Sequence, residues 1–141
     1  MVDALSKDLM ERSFKERRSF AQRQRDVEDI IERHPDKVPC VIERYRNEKS
    51  LPPLDRSKFL VPDYLTFGEL GRIIRKRLEL HPHQTFFLLI NQRNMAAVSK
   101  TMAEVYASEK DEDGYLYIVY ASQEVFGSDR LESAEAEDGA A

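Results

Sequence analysis

Four short apolar segments, divided into pairs by one amphipathic stretch, constrain the fold more than any other feature of the sequence. The segments are rich in β-branched and aromatic residues and read "KVPCVIERY", "KFLVP", "TFFLLIN" and "YLYIVYA". Their length and composition predict β-strands. "TFFLLIN" has almost no polar residue, so we expect it to be a central strand of the sheet.

The stretch between the second and third strands predicts a long helix. Thr66 and Glu69 form a capping box at its start, and an apolar stripe at helical spacing follows, made of Leu70, Ile73, Ile74 and Leu78. Two strands, one helix and two more strands predict an α+β roll, in which one helix crosses a four-stranded sheet. Folds of this kind often pair the first and last strands in parallel at the centre of the sheet.

Two further helices are predicted ahead of the first strand. "SFKE" and "SFAQ" are capping boxes that start at Ser13 and Ser19. Val27, Ile30 and Ile31 recur at helical spacing until His34-Pro35 ends the run. Residues 13–34 therefore form a predicted helical subdomain.

Charge is distributed unevenly along the 141 residues, whose net charge is −4. Residues 128–141 hold five acids against one base, so the rest of the chain is neutral. The segment "ERSFKERRSFAQRQR" has six bases against two acids and predicts acidic partners such as anionic lipid, acidic protein tails or RNA. The length and the hydrophobic fraction of 41% predict one globular domain.

The sequence offers little for catalysis. His34, His81 and His83 flank prolines with no metal-ligand spacing, and Cys40 lies in an apolar run where a buried small side chain is expected. No phosphate-binding loop or nucleophile motif is present in the sequence. We therefore predict that the protein is not an enzyme and has no cofactor. It is expected instead to be the substrate of a modifying reaction. Without an apolar run of membrane-spanning length or a signal peptide, it is expected in the cytoplasm.

Phe126-Gly127 is the predicted site of that modification. Glycine has no Cβ to crowd a nucleophile that attacks its carbonyl, and here it separates a strand-ended fold from the acidic residues 128–141. The alternative interpretation is an ordinary disordered terminus.

Several segments together resemble one known family. They read "FKERRSF", "DKVPCVIERY", "LPPLDRSKFLVPDYLT", "IIRKRLEL", "TFFLLIN" and "EVYASEKDEDGYLYIVYASQEVFG". In these segments the chain is similar to the microtubule-associated protein light chain 3 branch of the autophagy ubiquitin-like modifiers. The resemblance runs from about residue 13 to residue 127. It implies a ubiquitin-like β-grasp fold with two additional N-terminal helices.

The resemblance also implies a division of the chain and a modification. Residues 1–12 would be a flexible extension, 13–121 the domain, 122–127 an extended arm and 128–141 a removable tail. A cysteine protease would cut after Gly127. Enzymes similar to ubiquitin-activating and ubiquitin-conjugating enzymes would then join its carboxylate to phosphatidylethanolamine on autophagosomal membranes. We expect a monomer before lipidation.

A groove for cargo-receptor peptides with an aromatic-x-x-aliphatic motif is implied as well. By the resemblance, its aromatic pocket comprises Asp26, Ile30, Pro39, Val41, Lys58, Leu60 and Tyr115. Its aliphatic pocket comprises Phe59, Val61, Pro62, Leu70, Ile73 and Arg77. Lys37, Arg56 and Lys58 would meet acids that flank the motif. The competing interpretation is that Ile30, Leu70 and Ile73 are core residues, as their helical spacing alone would indicate.

Two positions depart from the expected pattern. Tyr115 stands where this family usually has Phe, and Gly71 lies inside a predicted helix, which it weakens by up to about 1 kcal/mol relative to Ala. An alternative function also stays open, in which the protein is a cytoskeletal or RNA-binding accessory protein that is not lipidated. Arg17 and Arg18 would then bind acidic tubulin tails or RNA phosphates.

Overall fold

The computed structural model describes residues 12–123 and residue 125. Over this range the chain forms four helices and four strands, and the three helices and four strands predicted above follow one another in the expected order. Their bounds are α1 Phe14–Arg17, α2 Phe20–Arg33, β1 Lys37–Arg44, β2 Lys58–Pro62, α3 Phe67–Arg77, β3 Phe87–Ile90, α4 Met102–Glu109 and β4 Leu116–Ala121.

The strands form one mixed sheet in the order β2-β1-β4-β3. The first and last strands, β1 and β4, lie at its centre and are parallel, with Cys40 opposite Leu116 and Arg44 opposite Tyr120. β2 pairs antiparallel with β1, and β3 pairs antiparallel with β4. The expected parallel pairing of the first and last strands is thus confirmed.

The prediction that "TFFLLIN" is a central strand was wrong, because β3 lies at one edge of the sheet. Leu88, Leu89 and Ile90 are all buried, so both faces of this edge strand are covered. On its outer side the Ile90 amide donates to the Asn94 carbonyl oxygen at 2.6 Å. The apolar run therefore indicates that both faces of the strand are buried. Burial of both faces does not require a paired strand on each side.

Apolar side chains pack on both faces of the sheet. On one face α3 and α4 cover the larger core, which includes Cys40, Phe59, Leu70, Ile74 and Ile118. On the other face the N-terminal helices cover a smaller cluster, which consists of Phe14, Val27, Ile30, Val41 and Tyr115. Cys40 is fully buried, and this burial raises the pKa of its thiol.

The predicted helix starts are confirmed in atomic detail. The side chains of Ser13, Ser19 and Thr66 each accept a hydrogen bond from the backbone amide three residues later. The side chains of Glu16, Gln22 and Glu69 in turn accept one from the backbone amide of the cap residue. Because each first turn leaves amide groups without a helical partner, these reciprocal bonds fix where the helices begin.

Polar contacts attach the N-terminal helices to β4 and to the segment before it. Arg23 on α2 donates to Asp113 at 2.5 Å and to the Tyr117 hydroxyl at 3.3 Å. Lys15 on α1 pairs with Asp111 at 3.0 Å. Ion pairs therefore hold α1 and α2 against the rest of the domain, in addition to the apolar contacts of the smaller cluster.

The chain leaves β4 through a buried polar contact. Both carboxylate oxygens of Glu48 accept from Ser122, one from its amide and one from its hydroxyl, each at 2.9 Å. The extended arm predicted for 122–127 stays a prediction, because residues 124, 126 and 127 lie outside the described range. Phe126, Gly127 and the acidic tail 128–141 lie outside the described residues, as do residues 1–11. No helix in the described part is long and apolar enough to cross a membrane.

Candidate functional site

Within the described residues, β1 is the sole partner of β2 in the sheet, and the other backbone edge of β2 is open. The Ile42 amide donates to the Ser57 carbonyl oxygen at 2.8 Å, which fixes the alternation of the ladder. With Cys40 opposite Phe59, the backbone groups of Phe59 point toward β1. Those of Lys58 and Leu60 consequently point to the open edge, where an extended peptide could add a strand.

The side chains of β2 alternate between core and surface. Phe59 and Val61 are buried in the larger core, whereas Lys58 and Leu60 are exposed. Leu60 retains 39% of its surface, which is large for an aliphatic side chain. Of the predicted pocket residues on this strand, Lys58 and Leu60 are thus exposed, and Pro62 is half-buried.

The residues predicted for the aromatic pocket lie along one face of the sheet. Ile30, Val41 and Tyr115 belong to the smaller cluster. Pro39 is opposite Leu60 and Val41 is opposite Lys58 in the β1–β2 register. This strip runs from α2 to the open edge of β2.

Asp26, on the α2 side of that strip, is held by an arginine. Arg18 Nε donates to Asp26 Oδ2 at 2.7 Å, and Arg18 Nη2 donates to Asp26 Oδ1 at 2.9 Å. Both side chains stay partly exposed. Sequence reasoning missed this pair and gave Arg18 a role with tubulin or RNA. Arg18 lies in the break between α1 and α2 and Asp26 lies within α2, so helical spacing gives no guide to their proximity.

Tyr115 is the polar group deepest in this strip. Its side chain is fully buried, and its hydroxyl makes no well-formed hydrogen bond within the described residues, with Asp26 as the neighbouring acceptor. Burial, followed by the charge of Asp26, raises the pKa of Tyr115. The hydroxyl therefore stays protonated at neutral pH.

The residues predicted for the aliphatic pocket divide into core and surface groups. Leu70 is 2% exposed and packs with Phe59 and Val61 in the larger core, as the competing interpretation expected for Leu70. Ile73 on α3 is 48% exposed, and Pro62 is half-buried. Accessible apolar surface on this side of β2 is therefore supplied by Ile73 and Pro62.

Two guanidinium groups stack on the Phe59 ring. Arg56 and Arg77 lie 4.9 and 5.4 Å from its centroid, and Arg77 also contacts Asp55 at 3.4 Å. Together with the side chain of Lys58, these two arginines place positive charge beside the open edge of β2. Lys37, the third residue predicted to meet acidic flanks, begins β1 opposite Pro62.

Arg17 and Arg18 do not form one free basic pair. Arg17 donates to the Ser57 hydroxyl at 3.1 Å, and Arg18 is bound to Asp26. No group of three or more His, Cys, Asp or Glu in the described range is arranged to hold a metal ion.

A four-stranded mixed sheet with central parallel first and last strands, crossed by one helix, defines a ubiquitin-like protein, here with two N-terminal helices. Residues 22–127 match the family model described as autophagy protein Atg8 ubiquitin like. The chain therefore belongs to the Atg8 and light chain 3 family, whose members are modifiers and not enzymes.

Relatives and a solved structure agree with this assignment. The chain is 55% identical to Protein lgg-2 of Caenorhabditis elegans over 82% of its length and 88% of the relative's. It is 50% identical to human microtubule-associated protein 1 light chain 3 gamma, over 91% of this chain and 86% of that one. The crystal structure of Trypanosoma brucei ATG8 superposes with a TM-score of 0.73 at 37% identity, covering 79% of this chain and 95% of that chain.

Proposed function

We propose that this autophagy protein is cleaved after Gly127 and conjugated through that residue to phosphatidylethanolamine. Family membership, the Phe126-Gly127 sequence and the acidic residues beyond it support the proposal. The partners would be a cysteine protease, an activating enzyme and a conjugating enzyme. Since two acyl chains hold a soluble domain firmly, lipidation would move the protein from the cytoplasm to the autophagosomal membrane.

The second part of the proposal is that the surface along β2 binds cargo receptors. The open edge of β2, with Leu60 exposed beside it and Ile73 exposed on α3, is the observation that carries it. A receptor segment would pair with the backbone of Lys58 and Leu60. Its aromatic residue would enter the aromatic pocket, and its aliphatic residue three positions later would pack near Ile73. Acids ahead of the motif would meet Lys37, Arg56 and Lys58.

Mass spectrometry of the protein recovered from starved cells tests the first part. We expect a species that ends at Gly127 and carries phosphatidylethanolamine, and a Gly127→Ala variant should yield neither cleavage nor lipid. A full-length, unmodified mass in the wild-type protein would reject cleavage and lipidation together.

Titration with a receptor peptide of the aromatic-x-x-aliphatic type tests the second part. Leu60→Ala should weaken binding by about tenfold, because burial of a leucine against the ligand is worth roughly 1.5 kcal/mol or more. Val98→Ala is the matched control, since Val98 is 73% exposed and lies away from β2 in the sequence. Both variants should fold, because neither side chain is buried. Equal affinity of wild type and Leu60→Ala would reject the surface along β2.

The alternative function, in which Arg17 and Arg18 bind tubulin tails or RNA, has less support. Both side chains already have partners, and Arg18 uses two of its nitrogens on Asp26. Binding of that kind would weaken steeply with ionic strength, whereas peptide docking on apolar surface would weaken less.

A further inference from the structure

Glu48, in the connection between β1 and β2, is a buried acid that neither the proposed cleavage nor the proposed groove explains. It is 2% exposed, and acidic side chains are almost never buried so completely unless they are paired. A buried carboxylate needs hydrogen bonds to both of its oxygens. Here one residue supplies both, because the amide and the hydroxyl of Ser122 donate to Glu48 Oε1 and Oε2, each at 2.9 Å.

Ser122 is the first residue beyond the sheet. β4 ends at Ala121, which pairs with Phe87 of β3, and the next amide donates to Glu48 instead of to a strand. On the other side of the exit, the Thr85 hydroxyl lies 3.5 Å from the side-chain oxygen of Gln123. The chain is therefore held for a short distance after the sheet ends.

The place where the chain leaves the sheet is open to an approaching enzyme. Ser122 and Gln123 line a cleft of about 420 Å³, together with Ser50 and Leu51 on one side and residues 83–85 on the other. Gln123 is exposed, whereas Ser122 is 8% exposed. A buried contact thus fixes the chain directly beside accessible surface.

We propose that Glu48 is a positioning residue for cleavage after Gly127, because it fixes through Ser122 the point and the direction in which the C-terminal residues leave the domain. This inference rests on the proposed cleavage. In that reaction a protease thiolate attacks the Gly127 carbonyl carbon, and the amine of Ser128 leaves with a proton. Water then releases the Gly127 carboxylate and restores the thiol.

Covalent geometry limits how far Gly127 can lie from the fixed residue. Five residues span at most about 18 Å, so the Cα atoms of Ser122 and Gly127 stay within that distance of each other. A fixed starting point confines the scissile bond to a small volume. Confinement raises its effective concentration at the active site of a protease that is bound to the domain.

Loss of the Glu48 contact should therefore affect kcat more than KM. The surface on which the protease docks is unchanged, so the protein should bind about as well as before. In fewer of the bound complexes, however, the scissile bond would be correctly placed.

The test is the rate at which the purified cysteine protease of the family cleaves the full chain. Glu48→Ala should lower kcat by roughly tenfold and leave KM within about twofold of wild type. Glu48→Gln should restore kcat to within about twofold, because its side-chain oxygen accepts from the Ser122 amide and its NH₂ group donates to the hydroxyl oxygen. A change in stability alone does not predict this division between kcat and KM.

Tyr120→Phe is the matched control. Tyr120 is also buried, and its hydroxyl donates to the Pro52 carbonyl oxygen at 2.7 Å, two residues before Ser122. The variant removes a buried hydrogen bond from the same strand without touching Glu48 or Ser122, so kcat should be unchanged. Urea denaturation of each variant shows that it is folded under the conditions of the assay.

Ser122→Ala keeps the test decisive if Glu48→Ala does not fold. It removes the hydroxyl bond, retains the amide bond and should lower kcat by about threefold. A kcat equal to that of wild type in Ser122→Ala and in any folded Glu48→Ala would overturn the positioning role and leave cleavage after Gly127 intact. An equal loss in Tyr120→Phe would overturn it too, since stability would then be the cause. If the wild-type chain is not cut, the proposed cleavage and the role of Glu48 both fail.

Discussion

Gly114 and Gly71 show how differently the same residue type can be constrained. Gly114 has φ +95°, and a Cβ at this position would lie 2.6 Å from Val27 Cγ1 on α2. Gly71 lies within α3, where a Cβ would meet Leu88 Cδ1 at 3.9 Å, an ordinary contact. The turn before β4 thus requires glycine both for its backbone and for the close approach of α2, whereas α3 does not.

Alanine at the two positions should change stability in opposite directions. Gly114→Ala should lower the free energy of unfolding by about 2 kcal/mol or more, because the strained φ adds to a clash with Val27. Gly71→Ala should raise it by about 0.5–1 kcal/mol through helix propensity. Urea denaturation of both variants measures the effect. An unchanged free energy of unfolding in Gly114→Ala would contradict the close packing of α2 on this turn.

α1 is too short to be stable alone and depends on its contacts with the rest of the domain. The Phe14 side chain packs on Tyr115, and its amide donates to Glu43 Oε2 at 3.0 Å. Burial raises the pKa of Glu43, and the Phe14 amide partly offsets the shift. Lys15 adds the ion pair with Asp111. This helix therefore exists because the sheet and the turn before β4 hold it.

The ion pair of α1 predicts a pH dependence. Burial by itself would raise the pKa of Asp111, but hydrogen bonds from Lys15 and from the Asp113 amide, together with the charge of Lys15, outweigh it and leave the pKa below its ordinary 3.8. A lowered carboxyl pKa stabilises the fold above the ordinary value, and this contribution is lost as pH falls below 3.8 through the folded pKa. The pair is partly exposed, so its contribution is about 0.2–1 kcal/mol.

Asp111→Asn provides the comparison, because it retains an oxygen that can accept from the Asp113 amide. The unfolding free energies of wild type and variant should differ at pH 6 and converge below pH 3.8. Added salt should reduce the difference at pH 6. A difference that persists at low pH would show that Asp111 acts through packing rather than charge.

At the level of whole elements the sequence was a good guide, for local reasons. Capping boxes and apolar spacing predicted α1, α2 and α3, and runs of β-branched and aromatic residues predicted each strand, since those signals act within a few residues. The position of β3 in the sheet was predicted wrongly, because an apolar run reports face burial and not the number of neighbours. The Arg18–Asp26 pair and the burial of Glu48 were also missed, as both depend on residues brought together by the tertiary fold.

For the candidate groove, the sequence and its resemblance named residues that stay predictions. The pattern could not separate Phe59 and Val61, which are buried, from Leu60, which is exposed, because all three are apolar neighbours on one strand. The pairing register and the edge position of β2 make that distinction. The hydroxyl of Tyr115 was visible in the sequence, but its burial next to Asp26 depends on tertiary packing.

At the scale of the whole molecule, β1 and β4 run side by side in the same direction at the centre of the sheet. A pull on the carboxyl end of β4 against the amino end of β1 would slide one strand along the other. In that geometry the hydrogen bonds between the strands bear the load together, instead of opening one after another from an end. If the chain is anchored through Gly127, tension from a membrane would enter at the end of β4, where the fold resists extension by shear.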